Sequence, residues 1–421
     1  TVMREVKAAA PRPGARRVGV SPTRAVKSRT IKPAAGIPKA EASAKGGKVG
    51  RSPSCGILPA PPFLYRVLRG NESMLMSEAL ASRSWWRPCP EDSDDWHLWW
   101  GGNGQKVSHE WVNRGPKAPR RLVNRVKGHC EVCKKTNLAA NLARLGPKPW
   151  IPRTLVVGGQ PGGMEAVRRA VSNAKSSGEG AVWIVKPGFM NRGQGITVHS
   201  AIGTIEAHIR STRPGSSWVV QKYIEDPMLV GGRKFDIRAY VLVGPDGTTY
   251  FHKEAYVRTS AQTFDLSNLS DRAAHLTNDA VQKKRDDYGS YEDHNKLSLA
   301  QLQETQGPTV DVMEGIYPQM RQCAADLFTH VAPKLNPEKA PHSFELFGLD
   351  FMSDAKGQVY LIEVNTSPAL FRQGRYLTDL LPRVIEEVVQ KCIDPVFPPP
   401  SDAQQPPRLD GFETIYNPGV Q

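Results

Sequence analysis

No apolar run in this 421-residue chain approaches the roughly 18 residues that a membrane-spanning helix needs, which predicts a soluble protein. Cysteine is scarce as well. The six, at positions 55, 89, 130, 133, 323 and 392, are scattered, no signal peptide is expected before them, and a reduced compartment is the expectation. Their one CxxC pair, Cys130 and Cys133, lacks the second pair that a closed four-ligand zinc site requires, and Cys133 is expected on a helix face. Acidic residues are nearly missing from residues 1 to 51, which hold 13 Lys or Arg against two Glu. That arm accounts for +11 of the total +15, so the remainder of the chain has an ordinary balance and no nucleic-acid partner is expected. Rich in Ala, Pro and Gly and almost without aromatics, the arm is predicted to be disordered. Its sign suits an acidic polymer reached through screened electrostatics, with an organelle transit peptide as the weaker reading.

What is present reads as an α/β chain. A basic arm and Pro-rich linker (1–62) lead into a tryptophan-rich segment. Trp85, Trp86, Trp96, Trp99, Trp100 and Trp111 suggest core packing ahead of base stacking. In "EVCKKTNLAANLARL", Leu138, Leu142 and Leu145 recur at helical spacing. Strands are expected at "AVWIVKP", "SSWVVQKYI", "FDIRAYVLV" and "TYFHKEAYV", and residues 259–310 look polar and loop-rich. A long amphipathic helix follows, then a hairpin of "ELFGLDFM" and "QVYLIEV", a last helix, and a Pro/Gln/Asp tail from about 395 that is predicted to be disordered.

The chemistry concentrates where strands end in charge. Glu363 and Asn365 in "YLIEVNTSPAL" share a strand face. If the hairpin places Asp350 opposite residue 361 or 363, all three fall on that face, and a one-residue slip would part them. Three hard oxygen ligands suit Mg²⁺, whereas unpaired acids in a strand of Val, Leu and Ile would be costly. Upstream, "VWIVKPGFMNRGQGI" sets Lys186 at a strand end before a loop with Arg192, Gly193 and Gly195, whose backbone amides can approach phosphate closely. The loop is neither a Walker A nor a Rossmann turn. Lys234, Asp236 and Arg238 alternate on one face, which a solvated edge strand would explain less well than a nucleotide neighbour. Arg258 adds a cation at a strand end.

Taken together, "VWIVKPGFMNRGQGI", "VVQKYIEDPMLVGGRKFDIRAYVLV", "HLTNDAVQK" and "FELFGLDFMSDAKGQVYLIEVNTSPAL" resemble the tubulin–tyrosine ligase and ligase-like family over residues 63 to 395. The resemblance implies an ATP-grasp fold of two lobes with a smaller N-terminal domain: 63–155, then a central lobe at 156–258 and a C-terminal lobe at 259–395, with a disordered tail at 396–421. It implies phosphate contacts from Lys186, Arg192 and Gly193, and an adenine hinge at Gln221, Lys222, Tyr223 and Ile224. Lys234 and Asp236 would hold the nucleotide. Asp350, Glu363 and Asn365 would hold Mg²⁺. Lys135 would reach the active site, although Thr136 replaces the acid of the family's "RKD". Arg238, Arg258, Thr277 and Asn278 would face the reacting carboxylate and the incoming amino acid, while His275 reads as a packed or solvent-facing histidine ahead of a proton shuttle.

The implied activity is ATP-dependent ligation of a free amino acid to the acidic tail of tubulin through an acyl phosphate, by a monomer in the cytoplasm or on the microtubules of a cilium. Tyrosine stands ahead of glutamate as that amino acid. "VRTSAQTFDLSNLSDRAAHLTNDA" looks like the tyrosine ligase, while "DDWHLWW" and "GGRKFD" look like polyglutamylases. An unrelated ATP-grasp ligase and a catalytically inactive microtubule-binding homologue are the other readings.

Overall fold

Apolar residues at alternate positions build the first sheet. Strand β1 (Phe63–Val67) is followed by helix α1 (Ser73–Ala81), β2 (Trp86–Pro88), β3 (Leu98–Trp100) and β4 (Leu122–Val123). The four strands run parallel in the order β2-β1-β3-β4. The computed structural model describes residues 61–71, 73–102, 112, 121–158, 162–212, 215–337 and 341–419; the basic arm and Trp111 lie outside these. Trp85, Trp86, Trp96 and Trp100 are all buried, so these tryptophans are core and not a stacking platform.

The expected helix at residues 131–145 is two helices. A one-turn α2 (Cys130–Cys133) ends at Lys134, whose extended backbone (φ −83°, ψ 118°) starts α3 (Lys135–Leu145) in a new direction. Leu138 and Leu142 are buried on α3 as the spacing predicts, and Leu145 packs at the edge of the same core.

The middle of the chain forms a separate antiparallel sheet. Strand β5 (Thr154–Val157), α4 (Gly163–Ser177), β6 (Trp183–Pro187), β7 (Thr197–His199), α5 (Ile202–Arg210) and β8 (Trp218–Lys222) give the order β5-β8-β6-β7. Both helices pack on it through Val167, Val171, Ala174 and Ile205 against Trp183, Val185, Trp218 and Val220.

The remaining strands join one large sheet. These are β9 (Leu229–Val230), β10 (Arg233–Val243), β11 (Thr249–His252) and β12 (Tyr256–Thr263). Then come the short helices α6 (Arg272–His275) and α7 (Asp279–Gln282), β13 (Lys296–Ser298), α8 (Leu299–Gln306) and α9 (Tyr317–Val331). The hairpin β14 (Glu345–Ser353) and β15 (Val359–Thr366), helix α10 (Gly374–Val388) and β16 (Phe412–Tyr416) complete it. Helices α8 and α9 cover one face, and α10 with the first sheet covers the other.

Four expectations need correction. The span 156–258 is divided: β10 to β12 pair with β14 and β13, not with the central sheet. "TYFHKEAYV" breaks at residues 253–255 into β11 and β12, so Arg258 lies inside a strand and not at its end. Residues 259–310 hold the end of β12, β13 and α8 besides their loops. The tail is ordered over residues 396–419. Strand β16 pairs with β11, Phe412 is buried, and Glu387 accepts the backbone N–H groups of Gly411 and Phe412 at 2.8 Å each. Its Pro/Gln/Asp surroundings hid a five-residue strand. Mixed α/β sheets built in this way are those of an ATP-grasp-like fold.

Candidate active site

Alternation along β10 sends Phe235, Ile237 and Ala239 into one core and Lys234, Asp236 and Arg238 to the other face. Farther along that second face the charges give way to Tyr240 and Leu242, which join the core beneath α10. No solvated edge is involved, because β10 has neighbours on both sides. Asp236 lies opposite Arg258 on β12, Arg238 opposite Asp350 on β14, and Asp350 opposite Glu363 on β15. A band of charge therefore crosses four adjacent strands.

Geometry within the band is tight. Arg258 donates Nε to Asp236 Oδ1 at 2.6 Å and Nη2 to Oδ2 at 2.8 Å, while Nη2 also lies 2.9 Å from Asp350 Oδ2. Arg238 holds the same Asp350 at 2.5 and 3.2 Å, and the Thr277 hydroxyl donates to Asp236. Gly348 permits this crossing, since a Cβ there would stand 3.1 Å from Arg238 Cδ and Nε. Burial by itself would raise the Asp350 carboxyl, but the Arg238 and Arg258 guanidiniums hold it well below the usual carboxylate range.

Asp350, Glu363 and Asn365 do converge. Asn365 Nδ2 stands 3.1 Å from Asp350 Oδ2 and 3.2 Å from Glu363 Oε1. Two carboxylates and an amide within one hydrogen-bond span are a hard-oxygen donor set of the kind magnesium takes, and half a turn of the Asn365 amide would present its oxygen. The residues fit the ion. The register that gathers them is irregular. From the turn, Ser353, Met352 and Phe351 pair with Val359, Tyr360 and Leu361. Continued unchanged, that register would set Ile362 opposite Asp350 and turn Glu363 toward the core side. A bulge at Ile362 shifts the pairing by one, so Glu363 meets Asp350 while Leu361 and Val364 both remain buried.

The central sheet, β10 and α3 each contribute a lysine. Lys186 at the end of β6 donates to Gln221 Oε1 at 2.7 Å, and Gln221 in turn donates to Thr154 at 2.9 Å. Burial lowers the Lys186 ammonium to about 8, opposed by Glu363 and Asp350 and reinforced by Lys135. Lys234 donates to the Tyr223 hydroxyl at 2.7 Å and the His275 carbonyl at 3.1 Å, and burial lowers it to about 7. His275 is packed, bonded to Tyr223 Oη and the Asn268 carbonyl. Lys135, first residue of α3, reaches the Met190 carbonyl at 2.8 Å and Glu363 Oε2 at 3.5 Å, so the change at Thr136 does not draw it away.

A cleft of about 660 Å³ is lined by Lys135, Arg192, Arg238 and Arg258. Asn278, Glu363 and Asn365 line it too, while Lys186, Lys234, Asp236, Asp350 and Thr277 are buried. Arg192 and Gly193 take left-handed φ values of 57° and 71°, and Arg272 fixes the Gly193 carbonyl at 2.7 Å. Lys222, Tyr223 and Ile224 line a second cavity of about 400 Å³ with Ile151, Pro152 and Tyr360. Sequence reasoning missed Lys296, which lies opposite Arg258 on β13 and pairs with Asp279 at 2.6 Å. Nothing local marks it, because only the β12–β13 register brings it into the band.

The family model described as the tubulin-tyrosine ligase family matches residues 117–405, which hold every candidate site residue. The chain belongs to the tubulin–tyrosine ligase family. It is 37% identical to tubulin glycylase 3D of Tetrahymena thermophila over 227 residues, 52% of this chain and 21% of that protein. Similarity to the human protein monoglycylase TTLL8 is 35% over 225 residues, 51% and 26% of the two chains. A probable alpha-tubulin polyglutamylase, Ttll1 of Tetrahymena thermophila, is 26% identical over 374 residues, covering 76% of this chain and 84% of that one. The matches thus span about a quarter of the two glycylases or less.

Proposed function

We propose that this chain ligates an amino acid, glycine in first place, to carboxylates of the tubulin tail at the expense of ATP. The observation that carries the reading is the meeting of Lys135, Glu363 and Asn365 on the wall of one cleft, with Asp350 and two lysines, Lys186 and Lys234, buried beside them. In this reading the 400 Å³ cavity along Lys222–Ile224, just beyond Gln221, takes adenine, and Lys186, Arg192 and Gly193 face the phosphates. Lys234 and Asp236 hold the nucleotide further along. Asp350, Glu363 and Asn365 would hold magnesium, which when bound supplies charge neutralisation for phosphoryl transfer. Arg238, Arg258, Thr277 and Asn278 face the acceptor carboxylate. Two carboxylates fix the Arg258 guanidinium, so it is set in place before any charge develops on the reacting carbonyl.

Glycine is preferred to the tyrosine favoured from sequence for one reason, and to glutamate for another. Two relatives matched at 37% and 35% identity are named glycylases. Beside Arg258, Lys296 is already matched by Asp279, which lines the cleft and would repel a second side-chain carboxylate such as that of glutamate. The likeness to Ttll1 along most of its length favours glutamate as the second reading. Incubation of the full chain with ATP, Mg²⁺ and tubulin, comparing labelled glycine, glutamate and tyrosine, decides between them. Glycine incorporation is expected. Incorporation of glutamate or tyrosine instead would move the specificity, and none of the three would sink the ligase reading.

A further inference from the structure

At the rim of the cleft, just before Lys135, three soft donors stand together. Ligand atoms of His129, Cys130 and Cys133 all lie within 4.8 Å of one another, and all three residues line the cleft. The CxxC spacing alone excluded only a closed site of four ligands. The fold adds His129, which one turn of α2 brings beside both sulfurs.

Two details make this more than proximity. His129 Nδ1 lies 3.1 Å from the Val126 carbonyl. An N–H at Nδ1 donating to that carbonyl leaves Nε2 with its lone pair free, the usual means by which a backbone oxygen fixes a histidine ligand. Nε2 lies 3.5 Å from Cys130 Sγ. A tetrahedral zinc with bonds of about 2.3 Å to sulfur and about 2.0–2.1 Å to nitrogen sets those two atoms about 3.6 Å apart. Both sulfurs are free thiols.

We propose that His129, Cys130 and Cys133 form a three-ligand zinc site whose fourth position opens to the cleft. On binding, each thiol gives up its proton, so one Zn²⁺ displaces two protons and leaves a neutral dithiolate complex. That neutrality allows the ion to sit beside Lys134 and Lys135, where a harder site of neutral oxygens would be repelled. The ion would tie α2 into a closed ring one residue before the break at Lys134. Such an open three-ligand arrangement takes water, or a carboxylate entering the cleft, as its fourth partner.

The test uses the full, metal-free chain kept reduced with a phosphine. Titration with Co²⁺ as the probe should reach one equivalent, with thiolate-to-cobalt charge-transfer absorption and tetrahedral d–d bands that Zn²⁺ abolishes. Cys130→Ser and Cys133→Ser should each weaken binding by about 100-fold or more, and His129→Gln by at least about tenfold. Cys89→Ser should leave it unchanged. X-ray absorption on the zinc-loaded native chain, which needs no variant, should count two sulfurs at about 2.3 Å. No charge-transfer band, a single sulfur neighbour, or unchanged affinity in either Cys130→Ser or His129→Gln would overturn the proposal.

Discussion

Asp350 and Glu363 stand side by side as candidate metal ligands, yet the fold loads them unequally, and replacing each by its amide separates the two burdens. Asp350 is buried, accepts from Arg238 twice and from Asn365, and forms an ion pair with Arg258 at 2.9 Å. Asp350→Asn keeps the shape but removes the charge. It turns an NH₂ group toward guanidinium donors and leaves Arg238 without its carboxylate in the core. Breaking a buried pair in this way costs about 3–5 kcal/mol. With an unfolding entropy of about 2.1 cal/mol/K per residue over roughly 330 residues, each kcal/mol moves the melting temperature by about 1.4 °C, so a fall of about 4–7 °C is expected. Glu363 is only half-buried, and its cation is Lys135 at 3.5 Å, which also has the Met190 carbonyl. Glu363→Gln should therefore shift melting by less than about 1.5 °C, the effect of a weak, part-exposed pair. Both variants should lose labelled amino-acid incorporation. Differential scanning calorimetry with that assay decides the matter. Equal melting temperatures for Asp350→Asn and the native chain would refute the charge-band argument, and an active Glu363→Gln would refute the metal assignment.

Other outcomes follow from single features. Burial, opposed by Arg83 at 4.0 Å and aided by Glu386, raises Asp394 to about 6. A raised carboxyl stabilises the fold fully below about 3.8 and loses that contribution as pH climbs through 6. Asp394→Asn should thus stabilise by up to about 3 kcal/mol at pH 7.5 and by nothing at pH 3.5, read from denaturant midpoints. Lys234, lowered to about 7, is mostly neutral at pH 8. Nucleotide phosphates favour its ammonium, so calorimetry in two buffers should find proton uptake on ATP binding at pH 8 that vanishes toward pH 6 and shrinks in Lys234→Met; uptake independent of pH would refute it. Phe412→Ala should cost about 3–5 kcal/mol, because the ring is buried against His252 at 4.7 Å; an unchanged denaturant midpoint would make the tail dispensable. Removing residues 1–51, with their +11 charge, should raise the KM for microtubules at low salt and leave ATP turnover alone; an unchanged KM would count against recruitment by the arm.

Much of the site was visible in the chain because its signals are local. Lys234, Asp236 and Arg238 had to share a face, since side chains alternate along a strand, and the surrounding Phe, Ile and Val told which face was core. Lys186 before a glycine loop, and the acidic "IEVN" after an apolar run, are likewise patterns of a few residues. The arrangement across strands was not visible. Lys296 enters the band by pairing with β12. The tail misled because composition weighs all 26 residues of 396–421 equally, while five of them, Phe412 to Tyr416, pair and pack.

Spacing along the backbone settles which residues can point the same way, and the amino acids of this chain had already chosen the metal-type donors, the buried cations and the apolar faces. Which of them meet was left to long-range pairing. The bulge at Ile362 is the clearest case, since regular pairing from the turn would have sent Glu363 toward the core, away from Asp350. Burying both Leu361 and Val364 against α9 and its neighbours is what stabilises the extra residue, and no window of sequence short enough to read as a strand contains that competition.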